Sequence, residues 1–296
     1  MSRLRSPHVG MLLVVLFWGG NFTASKLAFP TLAPMAFTAI RFLAATALVW
    51  VLAGRMERRQ PLDPGLIWPL IVLGLIGNTL YQVFFINGLA RTSAINTSLI
   101  LVSMPTVVTV AAGVMGLETV SGRQRLALAL ATAGVVAVLG ARGLELSAGD
   151  WQGDAMILAS VGCWAAYTLG LRKIAGRISA LSVTAWTLLT GMPGLVIAGW
   201  PSLMRVEWGA VTGVAWAGLA YSTLLSLVAA YLLWSRGVQR LGAARAALYT
   251  CLTPVVATMV AILVLGERPT AAHLAGGALI IGGVLLGNAR LVGPEG

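Results

Sequence analysis

Ten long apolar segments, separated by short polar connections, account for most of this 296-residue chain. Each is close to the length of about 20 apolar residues that a helix needs to cross a bilayer. Only 10% of the residues are Asp, Glu, Lys or Arg, whereas a soluble domain carries roughly 25%. The sequence therefore predicts an all-α membrane protein with about ten transmembrane helices. The predicted segments are Val9–Ala28, Pro34–Ala53, Leu66–Leu89, Ser93–Gly116, Arg123–Gly140, Trp151–Leu171, Ala180–Trp200, Trp208–Trp234, Ala243–Gly266 and Ala271–Ala289.

The basic residues are distributed unevenly between the connections. If the N-terminus is cytoplasmic, fourteen of the twenty Lys and Arg residues lie on the inner side and four on the outer side. Such an excess marks the cytoplasmic face of a membrane protein. We therefore expect an integral protein of a bacterial inner membrane with both termini in the cytoplasm. The net charge of +11 then indicates membrane lipid as a partner, and no nucleic acid.

The sequence repeats itself at an offset of 149 residues. Because each half contains five segments, an odd number, the two copies must be inserted in opposite directions. We predict two inverted five-helix repeats, residues 1–146 and 147–296, an arrangement typical of secondary transporters. A duplicated membrane scaffold without transport activity is the alternative. Identical pairs are Gly88 and Gly237, Arg91 and Arg240, Pro105 and Pro254, Thr109 and Thr258, Glu118 and Glu267, and Gly134 and Gly283, while Trp18 matches Trp164 at an offset of 146.

Each half also contains a proline within its fourth segment, a Glu at the end of that segment and a Gly-rich fifth segment. The first half has Met104–Pro105 and Gly116–Thr119, and the second has Thr253–Pro254 and Gly266–Arg268. Together with Phe17–Asn21, these motifs resemble the EamA-type family of drug/metabolite transporters over nearly the whole chain. The resemblance implies ten helices around a central cavity that opens alternately to either side. It also implies efflux of amino acids, related metabolites or toxic compounds.

Polar and aromatic side chains inside the segments are candidates for a substrate site, because unpaired polar groups are costly in hydrocarbon. Asn78, Tyr81 and Gln82 share one helical face and offer groups that bind a carboxylate or an ammonium ion. Trp164 and Tyr167 form a second face, suited to a ring or a cation. Interhelical packing is the alternative for both faces. The predicted substrate-binding set is Trp18, Asn21, Asn78, Tyr81, Gln82, Ser98, Trp164, Tyr167 and Tyr249, around a cavity among the first, third, fourth, sixth, eighth and ninth segments.

Pro105 and Pro254 lie near the middle of their segments, where a proline kinks a helix. We predict them as gating points, together with Gly19 and Gly20, which would give the first segment flexibility. A static bend and close helix packing are the alternatives. Arg41 lies about 10 Å into the second segment. We interpret it as reaching back to the outer surface, with contact to a substrate carboxylate as the alternative.

No Asp or Glu lies in the middle of a segment, and the chain has only two His and two Cys. This argues against carboxylate-driven cation antiport, a metal site, a cofactor and an enzyme active site. We predict an exporter of small metabolites that works by alternating access, with amino acids as substrates, aromatic ones favoured, and facilitated diffusion as one mode. A multidrug or nucleobase exporter is the alternative, and monomer and homodimer both remain open. Tryptophans at segment ends are predicted interface anchors, namely Trp151, Trp200, Trp208 and Trp234.

Overall fold

The computed structural model describes residues 7–56, 62–93, 97, 100–117, 121–140, 150–250, 252–266 and 271–288. Every regular element in these ranges is helical, which confirms the predicted all-α class. The helices are α1 (Pro7–Ala28), α2 (Pro34–Met56), α3 (Pro64–Arg91), α4 (Met104–Val114), α5 (Gly122–Gly140), α6 (Asp150–Lys173), α7 (Ala180–Leu203), α8 (Gly213–Leu241), α9 (Ala243–Thr250), α10 (Thr253–Leu265) and α11 (Ala271–Asn288). Short 3₁₀ turns lie at Leu101–Ser103 and Trp208–Ala210.

Six of these helices are long and apolar enough to cross a membrane, namely α1, α2, α3, α6, α7 and α8. Each has between 22 and 29 residues in its apolar span, and about 20 residues suffice for the hydrocarbon core. Shorter apolar stretches lie in α5, α10 and α11. The protein is therefore an integral membrane protein with six clear spans, and the total of ten stays a prediction.

Local sequence explains where several helices begin. The side chains of Asp63, Ser179 and Thr212 each accept a hydrogen bond from a backbone N–H in the first turn of α3, α7 and α8. These N–H groups would otherwise have no partner inside the helix. At the other end of a helix, Gly266 closes α10 with φ at +68°, a left-handed conformation that glycine adopts without strain.

The fourth and ninth segments change their geometry just before their prolines. Pro105 lies in the first turn of α4, directly after the 3₁₀ turn at Leu101–Ser103. Pro254 lies in the first turn of α10, and α9 has already ended at Thr250. A first turn suits proline because the missing N–H would have no intrahelical partner there. The expected kink inside a continuous α-helix is thus replaced by a break in α-helical geometry before each proline.

The two longest helices each contain a π-helical segment. It spans Leu75–Leu80 in α3 and Ser222–Ala229 in α8. Shifting the bounds of α3 by 149 residues reproduces those of α8 to within one residue, so the two π segments overlap in the repeat. A π segment turns the following residues to a new direction and is frequent at functional sites.

Helices of one half pack mainly against helices of the other half. α2 lies against α7 and α5 lies against α11, while α3 packs on α6 and α8 packs on α1. Glycines allow the close approach of α3 and α7. A Cβ atom on Gly191 would lie 2.4 Å from the carbonyl oxygen of Gly74.

Trp234 does not lie at a segment end, and its prediction as an interface anchor is wrong. Its side chain is 1% exposed, and its ring centroid lies 5.2 Å from that of Trp18 and 5.7 Å from that of Trp164. The cause is the length of α8, which continues to Leu241. Trp151, Trp200 and Trp208 are exposed at helix ends, as the prediction requires.

Candidate substrate site

A cavity lies between α1, α2, α3, α6 and α8 and the divided fourth and ninth segments. The non-atom space inside the cavity, including open solvent at its mouth, is about 580 Å³. All six segments that the sequence predicts around the cavity contribute lining residues, and the second segment contributes as well. Its lining comprises Trp18, Asn21, Phe22, Arg41, Tyr81, Gln82, Phe85, Leu101, Met104, Trp164, Ser226, Leu227, Tyr231, Thr250 and Thr253.

Aromatic rings from both halves form one wall of the cavity. The Trp164 ring lies at the centre, 4.8 Å from the ring of Tyr81 and 5.4 Å from those of Trp18 and Tyr231, between centroids. Trp18 is fixed in position because its indole Nε1 donates to the carbonyl oxygen of Ser226 at 3.1 Å. Such a wall offers ring faces and edges to an apolar or aromatic ligand.

Arg41 does not reach back to the membrane surface, so the snorkelling interpretation is wrong. Its side chain is 1% exposed and lines the cavity. The guanidinium donates through Nη2 to Oε1 of Gln82 and lies over the rings of Phe37 and Phe42, 5.3 Å and 5.7 Å from their centroids. Burial of a charge at such a position is costly, about 3 kcal/mol on insertion scales. A functional reason for the charge is therefore expected.

Gln82 connects the two halves of the bundle. Its Nε2 donates to the hydroxyl of Tyr231 at 3.3 Å, while its Oε1 holds Arg41. Gln82 and Tyr231 are themselves related by the repeat offset of 149 residues. A second link between the halves runs from Ser222, whose hydroxyl donates to Oδ1 of Asn21. Both of these contacts between the halves involve side chains that line the cavity.

Three of the predicted substrate-binding residues have side chains outside the cavity lining. Asn78 is fully buried and donates through Nδ2 to the carbonyl oxygen of Thr187 at 2.8 Å, on α7. The hydroxyl of Tyr167 lies 3.4 Å from that of Thr187. The hydroxyl of Tyr249 lies 2.6 Å from Nδ1 of His8. A fourth predicted residue, Ser98, lies outside the described residues.

Gly19 and Gly20 lie at close contacts between α1 and other helices. A Cβ atom on Gly19 would lie 2.6 Å from Cγ1 of Val256, on α10, and one on Gly20 would lie 2.3 Å from the hydroxyl of Tyr221, on α8. α1 runs through both glycines without interruption. Their observed contribution is close packing, and their gating role stays a prediction.

Ten lining residues are outside the predicted set, namely Phe22, Arg41, Phe85, Leu101, Met104, Ser226, Leu227, Tyr231, Thr250 and Thr253. A signal was available for Tyr231, because it occupies the position that Gln82 has in the other repeat. Arg41 carried a weaker signal, since an ionisable residue inside a span is by default a functional candidate. No periodicity in the sequence singles out Phe22, Phe85 or Thr250.

The fold and the site define a class of protein, a helical membrane protein with a cavity lined by aromatic and polar side chains from both halves of the chain. The model of the EamA-like transporter family matches residues 5–140 and 151–288. The chain belongs to this family, whose members are transporters and not enzymes, and the resemblance found in the sequence is confirmed.

Named relatives agree with this assignment. The uncharacterized transporter YyaM of Bacillus subtilis is 27% identical over 97% of this chain and 95% of its own. A probable terminal-alkyne amino-acid exporter of Streptantibioticus cattleyicolor is 28% identical over 96% of this chain and 93% of its own. A crystal structure with 20% identity superposes with a TM-score of 0.74, covering 97% of this chain and 99% of that one, and shows a shared fold.

Proposed function

We propose that this protein exports small metabolites across the bacterial inner membrane, with amino acids as substrates and aromatic ones favoured. The observation that carries the proposal is the cavity between the halves, where repeat-related residues face each other. Trp18 meets Trp164, and Gln82 meets Tyr231. The similarity to a probable terminal-alkyne amino-acid exporter supports the amino-acid assignment.

Transport would proceed by alternating access between two inverted repeats, residues 1–146 and 147–296. The reciprocal packing of α1 on α8 and of α3 on α6 supports this relation. Inverted repeats provide two equivalent arrangements, one open to each side of the membrane. Pro105 and Pro254, where each segment breaks beside the cavity, are the proposed gating points.

The charges of the cavity lining support facilitated transport or exchange over proton-driven antiport of cations. Among the cavity-lining side chains that the structure describes, none is a carboxylate. A proton-driven antiporter of cations needs such a group to bind either ion in turn. The excess of arginine in alternate connections supports cytoplasmic termini.

Counterflow in proteoliposomes tests the proposal. Vesicles loaded with unlabelled amino acid should accumulate labelled Phe, Trp, Met or Thr transiently and saturably, with or without a pH gradient, and protein-free vesicles should not. Flux that does not saturate and shows no counterflow would indicate a channel, and no flux with any amino acid, nucleobase or drug would indicate a scaffold. Preference for nucleobases or drugs over amino acids would favour the alternative exporter classes.

Replacing Tyr81 with Leu tests the aromatic preference. The variant keeps apolar volume but loses a ring that lies against Trp164, and an aromatic contact contributes about 1 kcal/mol. We expect the KM for Phe and Trp to rise about fivefold and that for Thr to change less. Trp208→Leu is the matched control, because Trp208 is exposed and stacks on Trp216, away from the cavity. An equal rise for all substrates would contradict the aromatic preference.

A further inference from the structure

Arg41 is the one charged side chain in the described lining of the cavity. At 1% exposure it is removed from solvent. None of the carboxylates in the described ranges forms an ion pair with it, and the recorded pair joins Asp63 to Arg177 instead. A buried cation that has no counterion within the protein favours the binding of an anion.

The guanidinium also has spare hydrogen-bonding capacity. An arginine has five N–H donors in a planar fork. One bond from Nη2 goes to Gln82, whereas the buried Nε has no hydrogen-bond partner. The rings of Phe37 and Phe42 beside the guanidinium provide no acceptor oxygen. The unpaired Nε–H is therefore a donor that suits an anionic acceptor such as a carboxylate oxygen.

Gln82 holds this group in place. Its Oε1 accepts from Arg41 and its Nε2 donates to Tyr231, so the amide has one orientation in which both contacts are satisfied. The guanidinium is thus oriented from both halves of the bundle before any ligand arrives. Such preorganisation lowers the cost of binding.

We propose that Arg41, oriented by Gln82 and Tyr231, binds the carboxylate of the substrate, and that the protein selects monocarboxylates and rejects amines that lack this group. The inference rests on the proposed function and narrows its substrate class. A monoanion is favoured over a phosphate dianion because a single cation lines the described cavity. The apolar part of the ligand would lie against Trp18, Tyr81 and Phe85, which line the same space.

A matched ligand series isolates the carboxylate. The purified full-length protein in nanodiscs is titrated with phenylalanine, 3-phenylpropionate, phenylalaninamide and phenethylamine, with inorganic phosphate and chloride as anion controls. Binding is measured by the rise in unfolding temperature and by calorimetry. We expect the two carboxylates to bind at least about tenfold more tightly than the amide, the amine and the inorganic ions. Equal or tighter binding of the amine, the amide, phosphate or chloride would overturn the proposal.

Gln82→Glu is the most direct test of carboxylate binding at Arg41. It changes one amide to a carboxylate beside Arg41, so that the protein supplies its own counterion and the fold keeps a paired charge. Carboxylate affinity should fall at least about tenfold. Asn87→Asp is the matched control, because the same chemical change is made further along α3, beside Arg91 and outside the cavity lining. It should leave the affinity within about twofold of the original. Unchanged affinity in Gln82→Glu would refute the proposal.

Arg41→Lys separates the shape of the group from its charge. It retains the cation but loses the fork, so we expect weaker binding of carboxylates with the ligand preference retained. An amine preference in this variant would contradict the role of Arg41.

The proposed transport and the proposed carboxylate site can be refuted independently. Carboxylate binding without flux would refute the proposed transport and support the carboxylate site at Arg41. Flux without a preference for carboxylates would support transport and refute the carboxylate site.

Discussion

Two groups of polar side chains inside this bundle differ in what they contact. Asn78, Thr79 and Thr190 donate to backbone carbonyl oxygens on a neighbouring helix. Arg41 and Gln82 instead meet side chains at the cavity, where a ligand has access. The first group joins helices. In the hydrocarbon core no water is present to bond these side chains, so they bond to the backbone of a neighbouring helix. The second group is available for recognition.

Asn78→Ala tests this division at the level of one residue. The bond to the carbonyl of Thr187 is lost, and interhelical bonds of this kind contribute about 1 kcal/mol in membranes. We expect a lower unfolding temperature in detergent with an unchanged KM in counterflow. A raised KM at unchanged stability would instead place Asn78 in the substrate site, as the helical face shared with Tyr81 and Gln82 first suggested.

The element that positions the site is α3, and its packing on α7 depends on small residues. The backbones approach at Gly74 and Gly191, and the hydroxyl of Thr79 donates to the carbonyl of Gly191 at 2.7 Å. This approach seats the π segment Leu75–Leu80 between α7 and α6, where a Cβ on Gly77 would lie 2.2 Å from the ring of Tyr167. Tyr81 and Gln82 follow directly. The contact between α3 and α7 therefore sets the position of the cavity residues.

Gly191→Ala should disturb this helix contact. The added Cβ would lie 2.4 Å from a backbone oxygen that cannot move away by a change of rotamer. We expect a loss of stability of about 1–3 kcal/mol, typical of overpacking, seen as a lower unfolding temperature and a lower yield of monodisperse protein. Gly162→Ala on α6 is the control, because nothing lies within 4 Å of its Cβ position. Equal effects of the two substitutions would contradict the account.

At the scale of the whole molecule, the halves are joined at the cavity and also at the surface. Asp63, the N-cap residue of α3, accepts a hydrogen bond from Nη2 of Arg177, in the connection between α6 and α7, at 2.7 Å. The bond from Arg177, followed by that from the backbone N–H of Gly65, holds the pKa of Asp63 below its usual value of 3.8. The pair is exposed, so its contribution is small.

The pH dependence of this contact has a defined sign. Because the pKa of Asp63 is lower in the folded protein, its contribution is present above pH 3.8 and is lost as the pH falls through the folded value. Asp63→Asn keeps an oxygen for the N–H of Gly65 but loses the charge. We expect a slightly lower unfolding temperature than the original at pH 7, and a difference that shrinks as the pH falls below 3.8 and in 1 M salt. A difference that grows at low pH would contradict the assignment.

Much of the fold could be predicted because hydrocarbon leaves a chain few choices. Backbone groups must be satisfied within each segment, so long apolar runs become helices, and the predicted bounds of α1 and α7 are close to those in the structure. Trp18 and Trp164, recognised as a pair at an offset of 146, contact each other in the cavity wall.

The sequence by itself determined the class of fold, the family and most of the helices that surround the cavity. Only the tertiary structure decided where individual side chains lie and what they contact. It placed Arg41 in the cavity instead of at the surface, buried Trp234, and directed Asn78 to α7. The physical reason is that hydropathy reports how deep a residue lies, whereas its direction and its neighbours depend on packing with helices that are distant in the chain. The π segments add to this, since they turn the residues that follow them away from the regular helical periodicity.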